Sequence, residues 1–177
     1  MTFNRTKIEG LYTIEPKPKI DERGYFVRAF CKDELSKIGI NFNIVQINRS
    51  LTKEKGTVRG MHLQKEPMAE DKIVSCIKGA AYDVAVDLRK SSPTYGQWVA
   101  EELNEDNQKM FLIPKGCAHG FQTLIDNCEL LYFMSEFFSP ENASGVRWDD
   151  PFFNIPWPIK NPILSEGDKN WPLIKNE

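Results

Sequence analysis

Histidine is scarce in this sequence: only His62 and His119 occur among 177 residues. Cys117 stands two residues before His119, but no second pair completes the usual Cys/His spacing, so a zinc site is not expected. The four cysteines, Cys31, Cys76, Cys117 and Cys128, are widely separated and form no CxxC pair. That pattern suits reduced, buried thiols rather than a disulfide framework. No apolar run approaches the ~20 residues needed to cross a bilayer, so no membrane span is expected. The opening Met1-Thr2-Phe3-Asn4-Arg5 lacks an apolar signal core, so secretion by that route is not expected and a cytoplasmic location is. No glycine-rich phosphate loop follows a strand pattern, which disfavours Rossmann and P-loop domains. A basic field is also missing. The 23 basic and 25 acidic residues leave a net charge of −2, so nonspecific nucleic-acid binding is not expected.

What the chain does have is ordinary globular composition, with 41% hydrophobic and 27% charged residues. Its length suits one domain over residues 1–177, and a fold of this size buries roughly 70% of the unfolded surface. The dominant pattern is alternation with period two. In 82–89, Tyr82, Val84, Val86 and Leu88 fall on one face, while Asp83, Ala85, Asp87 and Arg89 fall on the other. A strand there is expected to bury its apolar face and turn its carboxylates away. Segment 130–138 alternates similarly and places Tyr132 and Phe138 on one face. Further strands are predicted at 9–15, 25–30, 42–49, 57–64, 72–78, 97–103, 109–114 and 119–125, with Gly24, Gly56, Gly79, Gly96 and Gly116 among the turn signals. One short helix is predicted at 33–38, stopped by Gly39. Many short strands point to an all-β sandwich or barrel. The proline-rich tail from Asp149 reads as an irregular wrap anchored by Trp148, Trp157 and Trp171.

Four segments carry polar groups suited to chemistry. In Arg59-Gly60-Met61-His62-Leu63-Gln64, a strand puts Gly60, His62 and Gln64 on one face, and Gly60 leaves room for a ligand beside His62. A hydrogen-bonded structural histidine is the alternative. In Ile113-Pro114-Lys115-Gly116-Cys117-Ala118-His119-Gly120-Phe121, small neighbours leave space around His119, and Asp83 is placed to orient it. In Asp21-Glu22-Arg23-Gly24-Tyr25-Phe26, a charged turn carries Arg23. Arg23 and Arg59 would supply two forked guanidinium groups for a diphosphate, or else ordinary surface salt bridges. Lys72 opens an apolar strand, where lysine is normally solvated; pointing inward, it would stabilise an oxyanion.

Taken in order, these segments resemble the nucleoside-diphosphate 4-keto-6-deoxysugar 3,5-epimerases, of which the dTDP-4-dehydrorhamnose 3,5-epimerases are the best-known members. The matching stretches include Gln46-Ile47-Asn48-Arg49-Ser50, Lys72-Ile73-Val74, Asp83 to Lys90, Ser92-Pro93-Thr94-Tyr95-Gly96, Leu131-Tyr132, Trp148-Asp149-Asp150-Pro151 and Leu164-Ser165-Glu166-Gly167-Asp168. Their order and spacing agree from about residue 9 to 172, nearly the whole chain. The resemblance implies a cupin-type jelly-roll barrel with a few short helices, and a homodimer with exchanged N-terminal strands. It implies no metal and no cofactor, and the chain lacks the paired HxH ligands of metal-binding cupins. The implied substrate is a nucleotide-linked 4-keto-6-deoxysugar. By resemblance, His62 is the base, Asp168 orients it, Tyr132 is the acid on the opposite side, and Lys72 holds the enolate. His119 and Asp83 form a second polar pair near the sugar. Arg23 and Arg59 match diphosphate positions, with Arg23 reaching the partner's site. Gln46, Asn48, Phe26 and Phe138 fall in the stretches around the nucleotide.

Some positions depart from the rhamnose-pathway pattern. Arg28 stands where an acidic residue is usual, Phe138 where tyrosine is common, and Ile47 and Arg49 replace polar residues around Asn48. The proton-transfer set is intact while the nucleotide side differs. A single-site epimerase at C-3 or C-5, or a GDP- or CDP-linked substrate, is therefore the alternative within the family. A related 3,4-ketoisomerase and a metal-dependent oxygenase fit the residues less well. The alternative from another class is a noncatalytic sugar-nucleotide-binding cupin.

Overall fold

The structure, a computed structural model, describes residues 1–174. The elements run β1 (Thr2–Arg5), β2 (Tyr12–Glu15), β3 (Lys19–Asp21), β4 (Gly24–Phe26), α1 (Lys32–Ser36), β5 (Gln46–Thr52), β6 (Val58–Gln64) and β7 (Lys72–Lys78). They continue with β8 (Ala80–Asp87), β9 (Trp98–Asn104), β10 (Met110–Ile113), β11 (Cys117–Thr123), β12 (Cys128–Met134), β13 (Ala143–Gly145) and α2 (Glu166–Lys169). One sheet has the order β1-β2-β10-β7-β12-β5 and the other β13-β6-β11-β8-β9, while β3 and β4 pair as a separate hairpin. All ladders between these strands are antiparallel, and the architecture is a cupin-type jelly roll.

Apolar residues fill three layers. Between the sheets, Val74, Phe111, Ile113 and Leu130 meet Ala81, Ala85, Leu103 and Phe121. The outer face of the larger sheet, with Ile14, Ile73, Leu112 and Phe133, is covered by Phe30, Leu35 and Phe42 from the α1 region. The outer face of the smaller sheet, with Met61, Val84, Val86 and Ala118, is covered by Phe153, Ile155 and Trp157 of the expected C-terminal wrap. Trp157 is fixed there by donating its indole N–H to the carbonyl of Trp148 at 2.8 Å. This third layer corrects the reading of 82–89. Both faces of β8 are buried, and Asp83 and Asp87 are completely enclosed. The carboxylates survive there because each is paired: Asp83 with His119, and Asp87 with Arg89, Ser92 and Thr94.

Element boundaries differ from expectation where alternation is a poor guide. The predicted strand 25–30 ends at Phe26, because the following segment turns inward to carry Phe30 against Phe42 and Phe133. The strand predicted at 42–49 runs instead from Gln46 to Thr52, since Phe42 is buried beneath the larger sheet. The strand predicted at 130–138 stops at Met134, so Phe138 lies beyond it and shares no strand face with Tyr132.

Candidate active site

The inner faces of three adjacent strands set the site by register. Gln46, Met134 and Lys72 are aligned across β5, β12 and β7, and Asn48, Tyr132 and Val74 form the next row. Alternation makes these residues share one face of the sheet. Gln46, Asn48, Lys72, Met134 and Phe138 line a cavity of about 490 Å³, together with His62 and Trp171 from the opposite side. Gln46, Asn48 and Phe138, read as nucleotide-side, thus converge, whereas Phe26 does not join them. Gln46 donates to Asn48 Oδ1 at 2.9 Å and accepts the backbone N–H of Phe138 at 3.2 Å.

His62 stands on β6 with its side chain half exposed, and it also lines an adjoining groove with Arg59, Asp168 and Trp171. Its Nε2 lies 2.5 Å from Oδ1 of Asp168. Asp168 is buried in α2, where Ser165 caps the helix and donates its hydroxyl to Oδ2 at 2.9 Å. Burial alone pushes the Asp168 carboxyl upward. The hydrogen bond and charge of His62, with Ser165 and the Trp171 indole, outweigh that and hold it below the usual carboxylate range. The Trp171 ring stands edge-on to His62, with centroids 6.0 Å apart.

The second histidine pair is deeper. His119 Nε2 lies 2.9 and 3.0 Å from the two Asp83 oxygens. Complete burial raises the Asp83 carboxyl, partly countered by His119 and by the charge of Lys72. His119 links the two halves of the site. It is the cross-strand partner of His62, and its ring meets Tyr132 edge-on at 6.3 Å. Tyr132 shares its row with Asn48, which lines the cavity, but is not itself part of the lining. Its hydroxyl is 3.1 Å from Ser50 Oγ, and burial pushes the phenol well above its ordinary range. It therefore keeps its proton across the physiological range.

Lys72 does point inward and is buried, paired with Glu70 at 2.8 Å. Arg59 donates to Thr52 Oγ1 at 3.0 Å and to the Leu51 carbonyl at 3.2 Å, beside the His62 groove. Arg23 lies on the separate, exposed β3–β4 hairpin, held by Asp21, and Phe26 is also exposed there. The expected space at Gly60 is filled as well. A Cβ there would meet Gly120 Cα at 2.5 Å, so the glycine serves a close strand approach rather than a ligand. Of the positions departing from the family pattern, only Phe138 lines the cavity. Ile47 and Arg49 alternate onto the opposite face of β5, where Arg49 pairs with Glu129, and Arg28 pairs with Glu34.

Glu70, Trp171 as a site residue, Ser50 and Ser165 were not singled out by sequence. Glu70 had a signal: spacing of two from Lys72 puts both on one side of an extended chain. Ser165 had another, as an N-cap three residues before Asp168. Ser50 and Trp171 act through contacts distant in sequence and left none. Among the described residues, no three His, Cys, Asp or Glu side chains converge in a way that could hold a metal ion.

Comparison with known proteins adds four relationships. The family model described as dTDP-4-dehydrorhamnose 3,5-epimerase matches residues 5–176. A protein of that name from Methanothermobacter thermautotrophicus is 43% identical over 178 residues, covering 98% of this chain and 95% of the relative. The crystal structure of the Bacillus anthracis protein of that name, with TDP and PPi bound, superposes with a TM-score of 0.95 at 42% identity, covering 98% and 99% of the two chains. The Legionella pneumophila dTDP-6-deoxy-D-glucose-3,5-epimerase, solved in complex with dTDP-4-keto-L-rhamnose, gives 0.92 at 38% identity, covering 97% and 92%.

Proposed function

The chain belongs to the dTDP-4-dehydrorhamnose 3,5-epimerase family, and from that membership we propose that it is an isomerase inverting C-3 and C-5 of a nucleotide-linked 4-keto-6-deoxyhexose. The favoured substrate is dTDP-4-dehydro-6-deoxy-D-glucose, and the product is dTDP-4-dehydro-L-rhamnose. The observation that carries this reading is the His62–Asp168 pair, whose imidazole lines the cavity across from an inward-facing lysine.

The C-4 ketone makes the hydrogens at C-3 and C-5 acidic, because the carbanion delocalises onto the ketone oxygen. With Nε2–H donated to Asp168, Nδ1 of His62 keeps the lone pair that takes the carbon-bound proton. The ionised Asp168 fixes that tautomer and stabilises the imidazolium that forms. Lys72 faces the enolate oxygen, and Tyr132, protonated by virtue of its burial, returns a proton from the other side. His119 and Asp83 order the space between. Arg59 takes the diphosphate and Gln46, Asn48 and Phe138 the nucleotide. The whole chain acts as one domain without metal or cofactor, in the cytoplasm.

The hairpin β3–β4 exposes Ile20, Tyr25 and Phe26, apolar groups suited to docking on another copy. In a homodimer with exchanged N-terminal strands, the partner subunit's Arg23 completes the diphosphate site. No helix among the described residues is long and apolar enough to cross a membrane.

The test is conversion of dTDP-, GDP- and CDP-linked 4-keto-6-deoxyglucose by purified protein, with sizing by light scattering. The reading expects turnover with the dTDP sugar and a dimer. Tight binding of all three without conversion would leave a noncatalytic binding protein, and turnover only with GDP or CDP sugars would move the nucleotide assignment.

A further inference from the structure

We propose that Glu70 is a positioning residue of this site: its carboxylate fixes the Lys72 ammonium at the cavity wall, where the substrate's ketone oxygen gathers negative charge. The proposal rests on the reading above, in which Lys72 faces that oxygen.

Glu70 and Lys72 are both buried, both line the cavity, and lie 2.8 Å apart as an ion pair. The second carboxylate oxygen of Glu70, Oε2, is buried and has no hydrogen-bond partner. An enclosed carboxylate with one bare oxygen costs stability. A pair of this kind is no better for the fold than apolar residues of similar size. Its location on the wall of the reaction cavity gives it another use. Lysine carries its charge on a flexible four-carbon stem, so a cation meant to meet one developing oxyanion needs an anchor. Asp83 is a second carboxylate that feels the Lys72 charge. Both Asp83 oxygens already engage His119. Without Glu70, the ammonium would swing inward to Asp83, leaving the wall and disturbing the His119 pair. Glu70 holds it outward, between the nucleotide-side residues and His62.

The experiment is a double-mutant cycle with wild type, Glu70→Gln, Lys72→Met and the double variant, reading kcat and KM separately on dTDP-4-keto-6-deoxyglucose. Lys72→Met should lower kcat by about 10²–10³-fold, the usual loss for one oxyanion donor. Glu70→Gln should lower kcat by about 10–100-fold with KM nearly unchanged, because a misplaced donor fails mainly in the transition state. In the Lys72→Met background, adding Glu70→Gln should cost nothing more, since the group it positions is gone. Glu70→Asp keeps the charge pair while withdrawing the carboxylate by one methylene, so a folded protein with reduced kcat is expected. An unchanged kcat in both Glu70 variants, or an equal Glu70→Gln loss with and without Lys72, overturns the proposal and leaves the Lys72 assignment intact. A Lys72→Met protein as fast as wild type overturns both.

Discussion

Replacing Gly60 with alanine probes how closely β6 and β11 approach beside the reacting histidine. The Gly60 backbone has φ of +142°, and an added methyl would lie 2.5 Å from Gly120 Cα and 3.1 Å from the His119 carbonyl oxygen. Holding a residue with a Cβ in that region costs about 1–3 kcal/mol. Forcing a methyl into a packed seam costs about 1–3 kcal/mol more. At about 2–4 °C per kcal/mol for a chain of this size, melting should fall by about 4–24 °C. Gly24→Ala separates the two contributions. Its φ is +123° but nothing lies within 4 Å of an added Cβ, so it carries backbone strain alone. Because His62 pairs with His119 across the same seam, Gly60→Ala should also slow turnover well below its melting temperature. Calorimetry and a rate assay on both variants decide the matter. A Gly60→Ala protein that melts no lower than Gly24→Ala would refute the close approach.

Three further outcomes follow from the site. Tyr132→Phe should keep the fold at a cost of about 1 kcal/mol for the lost Ser50 contact, yet slow product formation by about 10²–10⁴-fold; unchanged rate and product stereochemistry would remove Tyr132 as the acid. Asp168 has its carboxyl held low in the fold, so its ionised form stabilises the protein above the ordinary carboxylate range and that contribution fades as pH falls through the folded value. Asp168→Asn should therefore flatten the acid side of the stability curve in urea melts and lower kcat by up to about 10⁴-fold; a curve as steep as wild type contradicts the pairing. Arg59→Ala should weaken dTDP binding by about 10–100-fold in calorimetry, the worth of a charge-assisted contact; unchanged affinity would take Arg59 out of the diphosphate site.

The apolar run of β7, enclosed on both faces, coincides with its predicted span. Alternation misled at β8, where polar residues are enclosed as well. Asp83 and Asp87 look outward by polarity, but His119 is buried with Asp83, and Asp87 is enclosed beneath the half-buried Arg89, Ser92 and Thr94. The short strands β1, β3 and β13 and the helix α2 have three or four residues each, too few to show a period. His62 stands out from its own strand neighbours, while the roles of Tyr132 and Asp168 come from motif resemblance; the structure adds what motifs lack: His62 to Asp168 across 106 residues, and Tyr132 to Ser50 across 82. The space that the sequence suggests at Gly60 is taken up by Gly120 of β11, a neighbour far along the chain.

Double inversion requires proton exchange at the two carbons flanking the ketone, catalysed by one imidazole. Proton NMR of dTDP-4-keto-6-deoxyglucose in heavy water, with wild type and His62→Ala in parallel, measures it position by position. Wild type should replace hydrogen by deuterium at both C-3 and C-5, and the variant should be slower by about 10²–10⁴-fold at both. Exchange by His62→Ala at the wild-type rate would contradict the mechanism, and exchange by wild type at one carbon alone would contradict the double inversion.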